Sequence, residues 1–179
     1  MGAARAGARS AGVGAIGGVY LFAIVLWAGG LVVLGAIVAP TVFRIVPAPT
    51  SADAMTVVFR RFDRVVMACS AVALLCEAAL ARFGGRITRL DLARGLTLVL
   101  ATALGLTVGA HLSPTIEALH RAGAVRGLGD GGLALERAHR LAEAAAKGEL
   151  LLLTVGLALL VARLVRPNSG GDRSVQRLR

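Results

Sequence analysis

The chain has 179 residues, 56% of them hydrophobic and 17% charged, with 20 Lys and Arg against 10 Asp and Glu and a net charge of +10. A soluble domain carries about 25% charged residues, so the composition argues against one. The basic surplus is spread over every connecting segment and only 4% of residues are aromatic, which excludes an interleaved nucleic-acid interface and leaves anionic lipid headgroups as the expected partner.

Residues 1–17 mix Gly, Ala and Arg with little to bury and are expected to form a flexible tail. Ser10 to Phe43 then contains no charged residue, which exceeds the roughly 20 apolar residues needed to cross a bilayer core of about 30 Å. It also exceeds the roughly 7–15 residues of a secretory h-region, so the segment reads as a retained helix. The first span is placed at about residues 18–39, with Tyr20 and Trp27 as its belt-type aromatics and Pro40 ending it. The start Met1-Gly2-Ala3-Ala4-Arg5-Ala6 lacks the Ser or Thr of a myristoylation signal, and no lipid anchor is expected.

Thr50 and Asp53 have capping-box spacing, so a helix is expected to start there and run through the amphipathic stretch Met55 to Arg64 into a second span, 64–83. That span must accept Glu77, and Gly84-Gly85 would end it. Cys69 and Cys76 lie about 10.5 Å apart along this helix, too far for a disulfide, and read as free thiols. The third span, 94–113, repeats Ala101, Gly105 and Gly109 at four-residue spacing, a face open to close helix approach and to a homo-oligomer. Ser113-Pro114 is expected to interrupt or kink the helix before Thr115 to Arg121. Gly123, Gly127, Gly129, Gly131 and Gly132 make the next connection flexible. No strand precedes it and no Lys-Ser or Lys-Thr follows, so it is a linker and not a phosphate loop.

From Leu133 the pattern turns helical and leads into the fourth span, 147–165, which carries Glu149 and Arg163 near its ends. Residues 167–179 read as a flexible basic tail. The expected fold is all-α: a four-helix transmembrane bundle over residues 18–166, up-down-up-down, with amphipathic helical extensions before spans two and four. Both termini share one side, which holds slightly more of the 20 Lys and Arg; the positive-inside rule places them in the cytoplasm, in the cell membrane.

Two groups of residues are candidates for chemistry. Glu77 is the one acid that the sequence places within a span, with Arg163 or Arg82 as its expected partner; the alternative is a proton or cation pathway. At the other end, Met67, Cys69 and His111 fall at one depth, with Met55, His120 and His139 in the adjoining outer segments. Thioether, thiolate and imidazole suit a soft metal such as copper, and a copper or haem site is the functional alternative to simple packing. No Ser/His/Asp or zinc-protease pattern occurs, and no enzyme is expected.

Trp27 and Gly30, then Ala39-Pro40-Thr41-Val42-Phe43, Phe59 and Phe62, Pro114 with Ile116, and Glu136-Arg137-Ala138-His139-Arg140 together resemble the transmembrane-protein-205-like family, the domain of unknown function 4149. The resemblance covers about Gly18 to Val165. It implies a four-helix membrane domain without an established reaction, whose eukaryotic member is associated with resistance to platinum drugs. Where the family carries Ser and Asn after the His-Arg pair, this chain has Ala142 and Ala146, which removes a polar network from that face. The expected function is structural, accessory or interaction type in the membrane, with a small transporter or metal-handling protein as the alternative.

Overall fold

The four apolar runs fold as four helical rods in a computed structural model, which describes the backbone of residues 2–83 and 87–165 and the side chains of residues 11–83 and 87–162. In the first rod, α1 (Gly2–Val33) passes through a π-helical turn, Leu34–Val38, into α2 (Ala39–Ile45). The second is α3 (Thr50–Phe83). In the third, α4 (Arg89–Thr107) passes through a π-helical turn, Val108–Leu112, into α5 (Ser113–Arg121), and the fourth is α6 (Gly129–Val165). No strand occurs among the described residues, and all four rods are long and apolar enough to cross a membrane.

The helix end expected at Pro40 is absent, and the interruption or kink expected at Ser113-Pro114 takes the form of a π-helical turn, for one reason. A proline lacks an N–H and its ring collides with the carbonyl four residues back, which would break a regular helix. In each rod the turn before the proline is widened by one residue into a π turn. The offending carbonyl is carried aside and the helix continues. The first rod therefore runs on to Ile45, and its helix begins at Gly2. The capping box also falls elsewhere. Thr88 caps α4, its hydroxyl accepting from the Asp91 amide and Asp91 accepting from the Thr88 amide at 2.9 Å. The start of α3 uses the carbonyls of Pro47 and Pro49 instead, which accept from the amides of Ser51, Ala52 and Asp53. Gly84, Gly85, the Arg163 side chain and the expected tail 167–179 lie outside the described residues.

Packing follows chain order in a closed ring: α1 on α3, α3 on α4, α4 on α6, and α6 back on α1, with α1–α3 and α4–α6 the most extensive contacts. Short connections between successive rods make the neighbours antiparallel. The core is narrow, built from Tyr20, Ala23, Ile24, Trp27, Val66, Cys69, Ala73, Leu98, Ala101 and Leu153, while the outer faces carry exposed Leu, Val, Ile and Phe as lipid-facing helices do. Gly30 is required for the α1–α3 contact, because a Cβ there would run into the Phe62 ring. Gly30→Leu is expected to destabilise the bundle by about 1–3 kcal/mol, read by detergent titration of helicity. The added substitution Phe62→Ala should recover part of that loss; no recovery would place the strain elsewhere.

Candidate functional site

All four helices of the ring meet at Gly105. A Cβ on this residue would stand 2.9 Å from Val66 Cγ1 of α3, 3.5 Å from Glu149 Oε2 of α6 and 3.5 Å from Trp27 Cζ2 of α1. The missing side chain makes room for an indole and a carboxylate to meet on the bundle axis: Trp27 Nε1 donates to Glu149 Oε2 at 3.0 Å. Trp27 is fully buried and Glu149 is 2% exposed. Among the described residues no Lys, Arg or His forms an ion pair with Glu149. Read along its own helix, Glu149 stands near the end of a span. Trp27 and Gly105, however, stand well inside the long charge-free runs of the other two rods, and the level they share places this carboxylate within the membrane.

One turn away on α3, Asp63 lies against Gly109, whose Cβ would stand 3.5 Å from Asp63 Cβ. Its Oδ2 is buried without a hydrogen-bond partner, as is Thr102 Oγ1. The Ser113 hydroxyl faces the Asp63 carboxylate, and the charge of Arg60 also reaches it. The charge of Asp63 in turn acts on Glu149 across the core. Asp63 and Glu149 belong to α3 and α6, which do not pack directly on each other; Gly105 and Gly109 of the third rod face Glu149 and Asp63 respectively. The Ala101, Gly105 and Gly109 stripe therefore serves packing inside this chain, with Ala101 fully buried.

The second buried group of charges lies toward the Arg89 end of α4. Arg94 grips Glu77 through two parallel bonds, Nε to Oε2 at 3.0 Å and Nη2 to Oε1 at 2.9 Å. Its Nη2 also lies 3.5 Å from Asp91 Oδ1, and its guanidinium carbon is 5.7 Å from the centroid of the Tyr20 ring. Two carboxylates and an aromatic face thus surround a guanidinium that is 2% exposed, a geometry in which bidentate bonding and a cation–π contact offset desolvation. Glu77 thus has a partner beyond the Arg82 and Arg163 expected from the sequence, of which the Arg163 side chain lies outside the described residues. Arg82 lies beside the Phe83 ring, and Arg94, the first residue of the expected third span, holds the acid. Arg94 was reachable as a candidate, since it is the first charge N-terminal to a long apolar run.

The soft-ligand residues are not brought together. Cys69 is in the core, whereas Met67 is 52% exposed and His111 is exposed; Met67 and Cys69 are two residues apart, about 200° around the helix. His139 is half-buried and stands edge to face with His120 at 5.8 Å between ring centroids. Arg140 is exposed beside it. Around this pair, Arg126 meets Glu136 at 2.9 Å and Arg60 meets Glu117 at 3.1 Å, a charged rim at the end of the bundle bearing the 46–49 and 122–128 connections. Among the described residues no group of three or more His, Cys, Asp and Glu is arranged to hold a metal. Ala39 and Pro40 follow the first π turn, and Phe43 points away from the bundle, 54% exposed.

A family described as a domain of unknown function (DUF4149) matches residues 22–124. The match includes Trp27, Asp63, Glu77, Arg94 and Gly105. Glu149 and the His139-Arg140 pair lie beyond it. No curated protein and no solved structure matches the chain.

Proposed function

Because the chain belongs to the family described as a domain of unknown function (DUF4149), whose description assigns no activity, we propose a role from the residues of the chain itself: an integral membrane protein that carries a proton or small cation, with Glu149 as the group that takes it up. The observation behind this reading is a carboxylate on the bundle axis whose hydrogen-bond donor is an indole, with no cation paired to it among the described residues. An acid costs several kcal/mol at such a depth, and structural acids are normally given a cation, as Glu77 is. Glu149 then exists for what it binds. The slight excess of Lys and Arg on the terminal side supports termini in the cytoplasm of a cell-membrane protein.

In proteoliposomes the protein is expected to dissipate a gradient of protons, Na⁺ or K⁺, and Glu149→Gln, which keeps an acceptor for Trp27, should slow this at least about tenfold. Rates equal to those of empty liposomes, or unchanged by Glu149→Gln, would overturn the reading. A structural or accessory role is the second reading. It is favoured by the Glu77–Arg94–Asp91 group, which is paired throughout and suits a clamp.

A further inference from the structure

The bundle is asymmetric about Glu149. Toward the terminal end the next layers are Ile24, Ala73, Leu98, Ala101 and Leu153, all buried. The hydroxyls of Ser70 and Thr97 on this side donate to their own helices, to the carbonyls of Met67 and Arg94. Thr102 Oγ1 is buried without a hydrogen-bond partner, and the Cys69 thiol is buried in the apolar core. Beyond these layers the Tyr20, Glu77, Arg94 and Asp91 group closes the end with every charge engaged. Toward the other end the order is polar: Asp63 with its unpartnered Oδ2, Ser113, then Arg60 and Glu117 at the charged rim. The π turn Val108–Leu112 lies along this stretch, where a widened turn leaves backbone carbonyls off the regular ladder.

We propose that the species bound at Glu149 is a proton and that it arrives from the end bearing the 46–49 and 122–128 connections, with Asp63 as the relay carboxylate. This rests on the reading of Glu149 given above and narrows it. The groups facing Glu149 are Trp27 from α1, Val66 and, a turn beyond, Asp63 from α3, and Gly105 from α4, which brings no ionisable side chain to this level. On α6 itself Lys147 is engaged with Glu143 at 2.7 Å. A dehydrated metal cation needs several oxygen donors, whereas the Glu149 carboxylate meets an indole N–H and belongs to no group of three or more His, Cys, Asp and Glu able to hold a metal among the described residues. A proton needs a single acceptor. The step is a simple transfer through intervening water: a proton leaves a carboxyl oxygen of Asp63 for the water, which gives a proton to Glu149 to form its O–H bond, so that the negative charge moves from Glu149 to Asp63 and no other reactant is used.

The test uses Trp27, the one tryptophan of the chain, whose indole bonds to the oxygen in question. The full-length protein is reconstituted in sealed liposomes, sorted by a C-terminal tag so that one face is outward, and emission is followed after a pH jump outside. A change in emission is expected within the range of about pH 4–10. It should be fast when the 46–49 and 122–128 end faces the jump and slow from the terminal end. It should disappear in Glu149→Gln, and in Asp63→Asn it should reach the same endpoint at least about tenfold more slowly. Equal rates from both faces, or an Asp63→Asn rate like the parent's, overturn the route. Emission that does not respond to pH, alongside Na⁺ or K⁺ flux blocked by Glu149→Gln, overturns the proton while leaving the transport reading in place. A pH response without any flux leaves the protonation and its route standing and removes transport.

Discussion

Arg94→Leu is expected to be the most damaging single substitution in the described chain. It leaves the Glu77 carboxylate without the two bonds of 3.0 and 2.9 Å that hold it and removes the cation beside Asp91. Removing one partner of a buried ion pair costs about 3–5 kcal/mol, most of it the penalty of the charge left behind. Membrane surroundings offer that charge no water to turn to. The loss should appear as a lower free energy of unfolding in a detergent titration. The double variant Arg94→Leu with Glu77→Leu should recover most of it, because deleting both charges also deletes the desolvation cost. A single variant within about 1 kcal/mol of the parent would mean that water or headgroups reach Glu77 and that the pair behaves like a surface salt bridge.

Gly105→Leu is the second. Cβ alone would already press on Val66 at 2.9 Å, and the rest of the side chain would enter the space held by Glu149 and Trp27. Overpacking a close-packed site costs typically about 1–3 kcal/mol, occasionally more; three other helices converge here, so the upper end or beyond is expected. Two readouts separate this from an effect on self-association. Stability should fall at constant oligomeric state, and Trp27 emission should shift as its bond to Glu149 at 3.0 Å is broken. Unchanged stability with a smaller assembly in detergent would instead assign the glycine stripe to a contact between copies.

Much of the fold could be read directly from residue order. Ser10 to Phe43 and Gly95 to Ile116 carry no Asp, Glu, Lys or Arg, and such runs have few outcomes other than membrane-spanning helices, since a helix is the local way to satisfy every backbone group in lipid. The small-residue stripe of the third rod was equally visible. What faces it was not: spacing along one helix shows that a face is narrow but not which neighbour fills it. Pro40 misled for a related reason. Proline removes one donor, and whether the helix ends or widens by one residue depends on packing beyond it, here that of α2 and α5 on their neighbours.

The candidate site was largely illegible in one dimension. Glu77 stood out because its own helix surrounds it with apolar residues; an arginine partner was expected for it, but Arg94 was not the one named. Glu149 was placed near the end of the fourth span, and Asp63 falls in the amphipathic stretch before span two, among Arg60, Arg61 and Arg64. Depth along one helix is a poor guide when rods differ in length and start point. What sequence alone determined is the class of protein: four apolar helices, the turns between them and the end at which each charge lies, all of which follow from local hydrogen bonding and the length needed to cross lipid. Only the tertiary structure decided which charges are neutralised. Pairing Arg94 with Glu77, and leaving Glu149 with an indole, depends on the rotation and register of helices that meet across a ring, and those are set by the fit of side chains far apart in the chain.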